Sequence, residues 1–182
     1  MPGALTAAIV LPVSCRTRGT VGRVRATRHR YAVEGWGVGE LIVSYDLVLA
    51  HDLPDPALSR DGADAETKLS RSVASRVRAH LAGTETDYDD VELDLSWCTA
   101  FQRELALALR AVPWGEVVSY GELAALAGRP GAARAAGTFC ARNRFALMLP
   151  CHRVVSASGI GGYGTSGVGL KRRLLGVEGI DL

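Results

Sequence analysis

No apolar stretch approaches the roughly 20 residues that a helix needs to span a bilayer, so no transmembrane helix is expected. Cysteine is scarce and scattered: four residues, at 15, 98, 140 and 151, with no CxxC pair. That spacing excludes a zinc ribbon and a thioredoxin-type motif and argues against a disulfide-dense secreted scaffold. Lysine is nearly absent, since 19 of the 21 basic residues are arginine. Genome composition can produce such a bias, and no function follows from it. Ala4 to Cys15 is apolar and ends at a cysteine, in faint likeness to a lipoprotein signal. It has no basic residue ahead of it, and Pro12-Val13-Ser14 makes a poor cleavage box, so a cytosolic protein is expected. What is present is enough for one or two small domains: 182 residues, 48% apolar and 22% charged, too apolar for a disordered chain.

Acidic residues are also missing from particular places. Residues 1–30 hold six arginines (16, 18, 23, 25, 28 and 30) and no acid. Residues 31–100 hold fourteen acids against five bases, and residues 101–182 hold ten bases against five acids. Between Arg129 and Arg173 there are eight basic residues and no Asp or Glu. A long acid-free stretch suits a face that meets an anion, and phosphates of nucleic acid are the usual one, because Lys and Arg gain affinity there by releasing counterions. A solvated basic surface is the alternative.

Residues 1–28 have little pattern and read as a flexible Arg-rich extension. Tyr31 to Ala50 reads as strands: Leu41, Val43 and Tyr45 alternate, and Gly35, Gly37 and Gly39 punctuate a turn before them. Pro54 to Ala65 is a polar loop. Leu69, Val73, Val77 and Leu81 make one apolar stripe, which predicts a helix from Glu66 to Ala82, stopped by Gly83. Val91, Leu93 and Leu95 alternate with acids and predict a short strand. Thr99 and Gln102 form a capping box that opens a helix ending before Pro113, with Phe101, Leu105, Leu109 and Val112 inward. Ser119 and Glu122 form a second capping box for a short helix closed by Gly128. Pro130 suits the first turn of a further helix running to Arg142. Two short helices joined by a tight turn containing Gly look like a helix-turn-helix, with Arg129, Arg134 and Arg142 in or beside the second.

Pro150-Cys151-His152-Arg153-Val154-Val155 is the segment most able to do chemistry. A Cys beside His and Arg is a candidate low-pKa thiol, because nearby cations favour the nucleophilic thiolate. A buried structural Cys beside a surface His is the plainer alternative.

In its context this segment resembles the active-site signature of the O6-alkylguanine-DNA alkyltransferases, also called methylated-DNA–protein-cysteine methyltransferases. The likeness runs from about Tyr31 to Gly179 and is loose in the first part. Ala106 to Glu116 looks like the family's helix and turn, Ser119-Tyr120-Gly121-Glu122-Leu123-Ala124 like its next helix, and Ala132-Ala133-Arg134-Ala135-Ala136-Gly137 like its recognition helix. Gly162-Tyr163, Lys171, Leu174-Leu175 and Glu178-Gly179 follow in the family's order. The resemblance implies an α/β protein: a small ribonuclease H-like N-terminal α/β domain over 29–95, then a mostly helical C-terminal domain over 96–182 with a helix-turn-helix.

The function it implies is direct reversal of DNA damage. Cys151 would take the alkyl group from O6 of guanine, and also from O4-alkylthymine, in one irreversible displacement. His152 would accept the thiol proton through a water, and Glu178 would orient the imidazole. The target base must leave the stack first. Arg134 would fill the vacated space, and Tyr120 would contact the rotated nucleotide. The alanines of the recognition helix would allow close approach in a minor groove, with weak sequence preference. Asn143 would brace the turn before the active-site loop. The Val154 carbonyl would contact the guanine, Tyr163 would stand at the pocket, and Lys171 would stand near its rim. No cofactor is called for, the partner is double-stranded DNA carrying O6-alkylguanine, and a cytoplasmic, nucleoid-associated monomer is expected.

Two departures stand out. Arg144 follows Asn143 where the family usually has Pro, which would loosen the turn or add a phosphate contact. The loop Gly164-Thr165-Ser166-Gly167 is one residue longer than usual and would reshape the pocket wall. Gly159 to Gly164 fits GxGxxG, but the chain is too near its last residue, Leu182, for a βαβ unit, so the glycines read as a pocket loop. Cys15, His29, His51 and His80 could meet in the first domain as zinc ligands, but they match no zinc spacing, and no metal is expected. Two rivals remain open: an alkyltransferase-like protein that binds damage without transfer and recruits other factors, and a thiol hydrolase. The former lack the nucleophilic Cys that this chain retains.

Overall fold

The structure, a computed structural model, describes residues 26–182. Most of the extension read over 1–28, with Cys15, lies outside them, and Thr27 and Arg28 already belong to a strand.

Three strands form an antiparallel meander: β1 (Thr27–Val33), β2 (Gly37–Ser44) and β3 (Leu47–Asp55). Tyr31, Leu41, Val43 and Val48 point to one face and are fully buried there. Helix α1 (Lys68–Leu81) covers that face with Val73, Ala74, Val77 and Leu81. Thr67 caps it, exchanging hydrogen bonds with Ser70, so the helix starts two residues later than the apolar stripe alone suggested. Gly39 shows how tightly this layer is built. A Cβ there would stand 2.4 Å from the Tyr31 ring, so only glycine lets the tyrosine lie flat over β2. The strand read over Val91 to Leu95 shrinks to one parallel bridge, Leu93 to Val48 of β3, with Val91 and Leu93 burying their side chains.

Both capping boxes read from the sequence form. Thr99 and Gln102 open α2 (Ala100–Arg110), and Ser119 and Glu122 open α3 (Tyr120–Leu126). Helix α4 (Ala133–Ala141) follows. Pro130 is not in its first turn. The chain makes a further turn through Gly131, whose φ of 89° is left-handed, and the helix starts at Ala133 without a side-chain cap. A parallel pair, β4 (Val118–Ser119) with β5 (Val154–Val155), ties the start of α3 to the segment just after Cys151. Last comes α5 (Gly167–Val177), a helix for which the sequence reading holds no expectation. Glycines at 167, 169 and 176 mask it, yet Lys171, Leu174 and Leu175 bury one face. Among the described residues the fold is thus α/β, with a small antiparallel sheet and five α-helices.

The two halves share one continuous core. A polar chain also links them: the Tyr31 hydroxyl donates to His51 Nε2 at 2.5 Å, and His51 Nδ1 donates to the Ala146 carbonyl at 2.7 Å. The backbone N–H of His51 adds a bond to the Arg144 carbonyl at 2.7 Å. Beside this anchor Leu147 holds a left-handed φ of 68°, a cost for a residue with a Cβ that the surrounding contacts must offset.

Two outcomes test this account. Gly39→Ala forces the Tyr31 ring aside and should destabilise the fold by about 1–3 kcal/mol in denaturant melts; an unchanged midpoint would show that the layer can yield. Burial lowers the His51 pKa from 6.5 to about 4, against the raising effect of its bond to Ala146. Between those values the unfolded chain binds the proton more readily, so stability is complete above pH 6.5 and declines as pH falls toward 4. The loss attributable to this group is roughly 3 kcal/mol. Melts of wild type and His51→Gln across that interval should diverge; parallel curves would count against it.

Candidate active site

Cys151 opens a single 3₁₀ turn, Cys151–Arg153, set between the buried run Phe145–Pro150 and β5. Asn143 fixes its approach. The Asn143 side chain donates from Nδ2 to the Leu149 carbonyl at 2.8 Å and to Cys151 Sγ at 3.1 Å. Its Oδ1 accepts from the Phe145 N–H at 2.9 Å. One amide thus satisfies two backbone groups and touches the sulfur. Arg144 does not loosen this turn. Its guanidinium lies 4.9 Å from the centre of the Trp97 ring, and its carbonyl is taken by His51.

The thiol is buried, but it borders a cavity of about 170 Å³ and a cleft of about 820 Å³. Tyr120, Cys140, Ala141 and Tyr163 wall the smaller space beside Cys151, and Gly137, Gly162 and Gly164 add no side chain to it. The glycine run is therefore a pocket loop. Gly161 has φ 71°, and a Cβ there would press on the Ser156 backbone at 3.0 Å. Lys171 fastens that loop, because Nζ donates to the Val154 carbonyl at 2.5 Å and to the Gly162 carbonyl at 3.2 Å. It is fully buried, so it sits behind the rim rather than on it.

The charges around Cys151 differ from the sequence reading. Burial raises the thiol pKa, and the Asn143 and Tyr163 hydrogen bonds and Lys171 oppose that only in part. His152 and Arg153 do not supply the correction, because both turn to Glu178. His152 Nε2 donates to Oε1 at 2.8 Å. Arg153 donates to both carboxylate oxygens at 2.9 Å, and also to the Val112 carbonyl. Burial opposes the Glu178 charge, but the hydrogen bonds from His152 and Arg153, with His80 close by at 3.2 Å, hold its carboxyl far below the usual range. Burial lowers His152 to a pKa of about 4 despite Glu178, so its imidazole is neutral at pH 7. With Nε2 protonated toward Glu178, Nδ1 is the free acceptor. It is buried and has no protein partner among the described residues.

The remaining expected residues fall around this centre. The Tyr120 hydroxyl is 3.4 Å from the Gly162 carbonyl, on the cavity wall. Arg134 is exposed near the start of α4. Of the four alanines read as a close-approach surface, Ala136 instead faces the core. Sequence reasoning missed two members. Arg153 carries no local sign of its pairing with a residue 25 positions away. His80 was grouped with His29 and His51, yet those two flank Tyr31, with ring centres 6.2 and 6.0 Å from it. His80 lies elsewhere, 3.2 Å from Glu178 Oε1. Donor atoms of His80, His152 and Glu178 come within 4.8 Å of one another, a spacing that could hold a cation. Arg153, however, already occupies both carboxylate oxygens with a positive charge, so the set fits a proton network better than a metal ion.

Residues 100–180 match the family described as 6-O-methylguanine DNA methyltransferase, DNA binding domain. A methylated-DNA–protein-cysteine methyltransferase of Mycobacterium bovis is 41% identical over 136 residues, 74% of either chain. One from Salmonella typhimurium is 51% identical over 108 residues, 59% of this chain and 62% of that one. The crystal structure of Mycobacterium tuberculosis OGT in complex with DNA superposes with a TM-score of 0.70 at 35% identity, covering 84% of this chain and 92% of that one. On these grounds the chain belongs to the methylated-DNA–protein-cysteine methyltransferase family.

Proposed function

We propose that Cys151 is the alkyl acceptor in direct reversal of DNA damage, the activity of this family, and that the alkyl group comes from O6 of guanine and, by the same route, O4 of thymine. The observation that carries the assignment is the unpartnered Nδ1 of His152 behind a thiol that borders a cavity. The bond forms between Sγ and the alkyl carbon, while the bond from that carbon to O6 breaks and its electron pair leaves with the guanine, which takes up a proton from water at N1 to become the ordinary base. The thiol proton passes through a water to His152 Nδ1, and Glu178 steadies the resulting imidazolium through Nε2. Because the resting thiol is neutral, deprotonation accompanies attack rather than preceding it. The thioether has no hydrolytic exit, so each molecule acts once.

The double-stranded DNA partner is read onto α3, the turn after it and α4, used as a helix-turn-helix with Arg134 entering the vacated stack and Tyr120 against the rotated base. The acid-free stretch from Arg129 to Arg173 supports a phosphate contact there. The first unit, 29–95, is read as ribonuclease H-like, supported by its antiparallel strands with one helix against them, and 96–182 as the alkyl-acceptor unit. A cytoplasmic monomer fits this reading, and no described helix is long and apolar enough to cross a membrane. A braced thiol with a built proton acceptor has no use in a protein that only binds damage.

Intact mass after incubation with duplex containing O6-methylguanine should rise by one methylene in wild type and not in Cys151→Ala. An alkylated Cys151→Ala, or an unreactive wild type that melts normally, would defeat the assignment. Arg134→Ala should slow transfer from duplex roughly tenfold or more while sparing reaction with free O6-benzylguanine, since only the duplex requires extrusion. Equal losses on both would remove Arg134 from that role.

A further inference from the structure

Helix α1 of the first unit sends one buried titratable side chain into the Glu178 network, and the mechanism above does not use it. His80 is fully buried, and neither of its ring nitrogens has a hydrogen-bond partner among the described residues. Its ring stands edge-on to Trp114 at 4.7 Å between centres, tilted against Tyr88 at 6.1 Å and edge-on to His152 at 6.0 Å. A phenylalanine would fill that space without burying two unpaired polar atoms, so packing alone does not account for an imidazole here. The nearest charge explains it better. His80 Nε2 lies 3.2 Å from Glu178 Oε1, the oxygen that also receives His152 Nε2–H at 2.8 Å.

We infer that His80 is a positioning residue for alkyl transfer, holding Glu178 from the side of the first unit so that the carboxylate keeps His152 aimed at Cys151; the inference rests on the reading of Cys151 as acceptor. The resting contact is within reach but poorly directed. Catalytic hydrogen bonds often sit so before the reaction and tighten as charge develops. Here the trigger is the imidazolium that forms on His152, which draws Glu178 into firmer contact with its donors. His80 also bears on the strength of the base. A donor shared on Oε1 weakens the hold of Glu178 on the His152 proton, and any positive charge on His80 repels one on His152. Both effects make His152 less basic. The other groups facing this cluster are Arg153 in the 3₁₀ turn, Tyr88 after α1 and, further off, His51 on β3.

The test is single-turnover alkyl transfer by the full chain from duplex containing O6-methylguanine, followed across pH for wild type, His80→Phe and His80→Gln. His80→Phe keeps the bulk and removes the nitrogens. Its rate at saturating duplex should fall roughly tenfold with unchanged duplex affinity, and the acid limb of its profile should move to higher pH as His152 grows more basic. His80→Gln, which restores a donor near Oε1, should recover most of the rate. A His80→Phe protein with the wild-type rate and acid limb would overturn the inference. So would a His80→Gln protein that is stable but no faster than His80→Phe, since packing would then be the whole role. If wild type itself places no alkyl group on Cys151, the underlying reading fails instead, and the two failures are told apart by the wild-type mass alone.

Discussion

A single buried carboxylate organises the reactive half of this protein. Glu178 lies at the end of α5 with its side chain out of contact with solvent, which is unfavourable for a charge unless donors surround it. They come from three directions: Arg153 forks onto both oxygens, His152 takes one, and the Gly115 N–H stands 3.4 Å from the other. Satisfying the acid therefore draws together the turn after α2, the 3₁₀ turn at Cys151 and the last helix. The loop that carries the thiol is placed as a by-product of compensating one charge. Its other end is placed by Asn143 and by the His51 bond to the Ala146 carbonyl.

The same clamp decides how the sulfur behaves. Two cationic side chains next to a cysteine in sequence suggest a thiolate, but sequence adjacency is not spatial adjacency in a 3₁₀ turn. Arg153 spends its guanidinium on Glu178 and Val112, and His152 is neutral. The local field at Sγ is set instead by burial against two hydrogen bonds and a distant ammonium. In the proposed mechanism activation comes from a base that accepts the proton at the moment of attack, and His152 Nδ1, without a partner among the described residues, is the group available for it.

What the sequence disclosed follows from how far each interaction reaches along the chain. The capping boxes at Thr99 and Ser119 span three residues each, and both form. The Cys-His-Arg segment is contiguous, and the apolar stripe of α1 has an unbroken period, so these too were legible. Helix α5 was not, because three glycines hide a face that only tertiary burial of Leu174 and Leu175 reveals. Pro130 misled for a similar reason: its preference for a first helical turn lost to the left-handed turn at Gly131. His80 was invisible as a member of the site, since its partner lies 98 positions away. A histidine at the end of an amphipathic helix looks the same whether it meets solvent, a zinc ion or a carboxylate.

A protein consumed by one reaction gains from a thiol that stays quiet until its substrate arrives. A standing thiolate is the form most open to oxidation, and the higher oxidation states of sulfur are not recovered. Burial that raises the Cys151 pKa keeps the sulfur protonated at neutral pH, while the adjoining cavity leaves it open to a ligand that enters. The neutral His152 completes this arrangement, because a base already protonated would be useless and a base in direct contact would ionise the thiol too early. Burial holds that imidazole neutral against the pull of Glu178, and the hydrogen bond to Glu178 orients it. On the proposed mechanism reactivity thus depends on a separate base rather than on the sulfur alone, which is how a buried, unreactive-looking cysteine can serve as a single-use nucleophile.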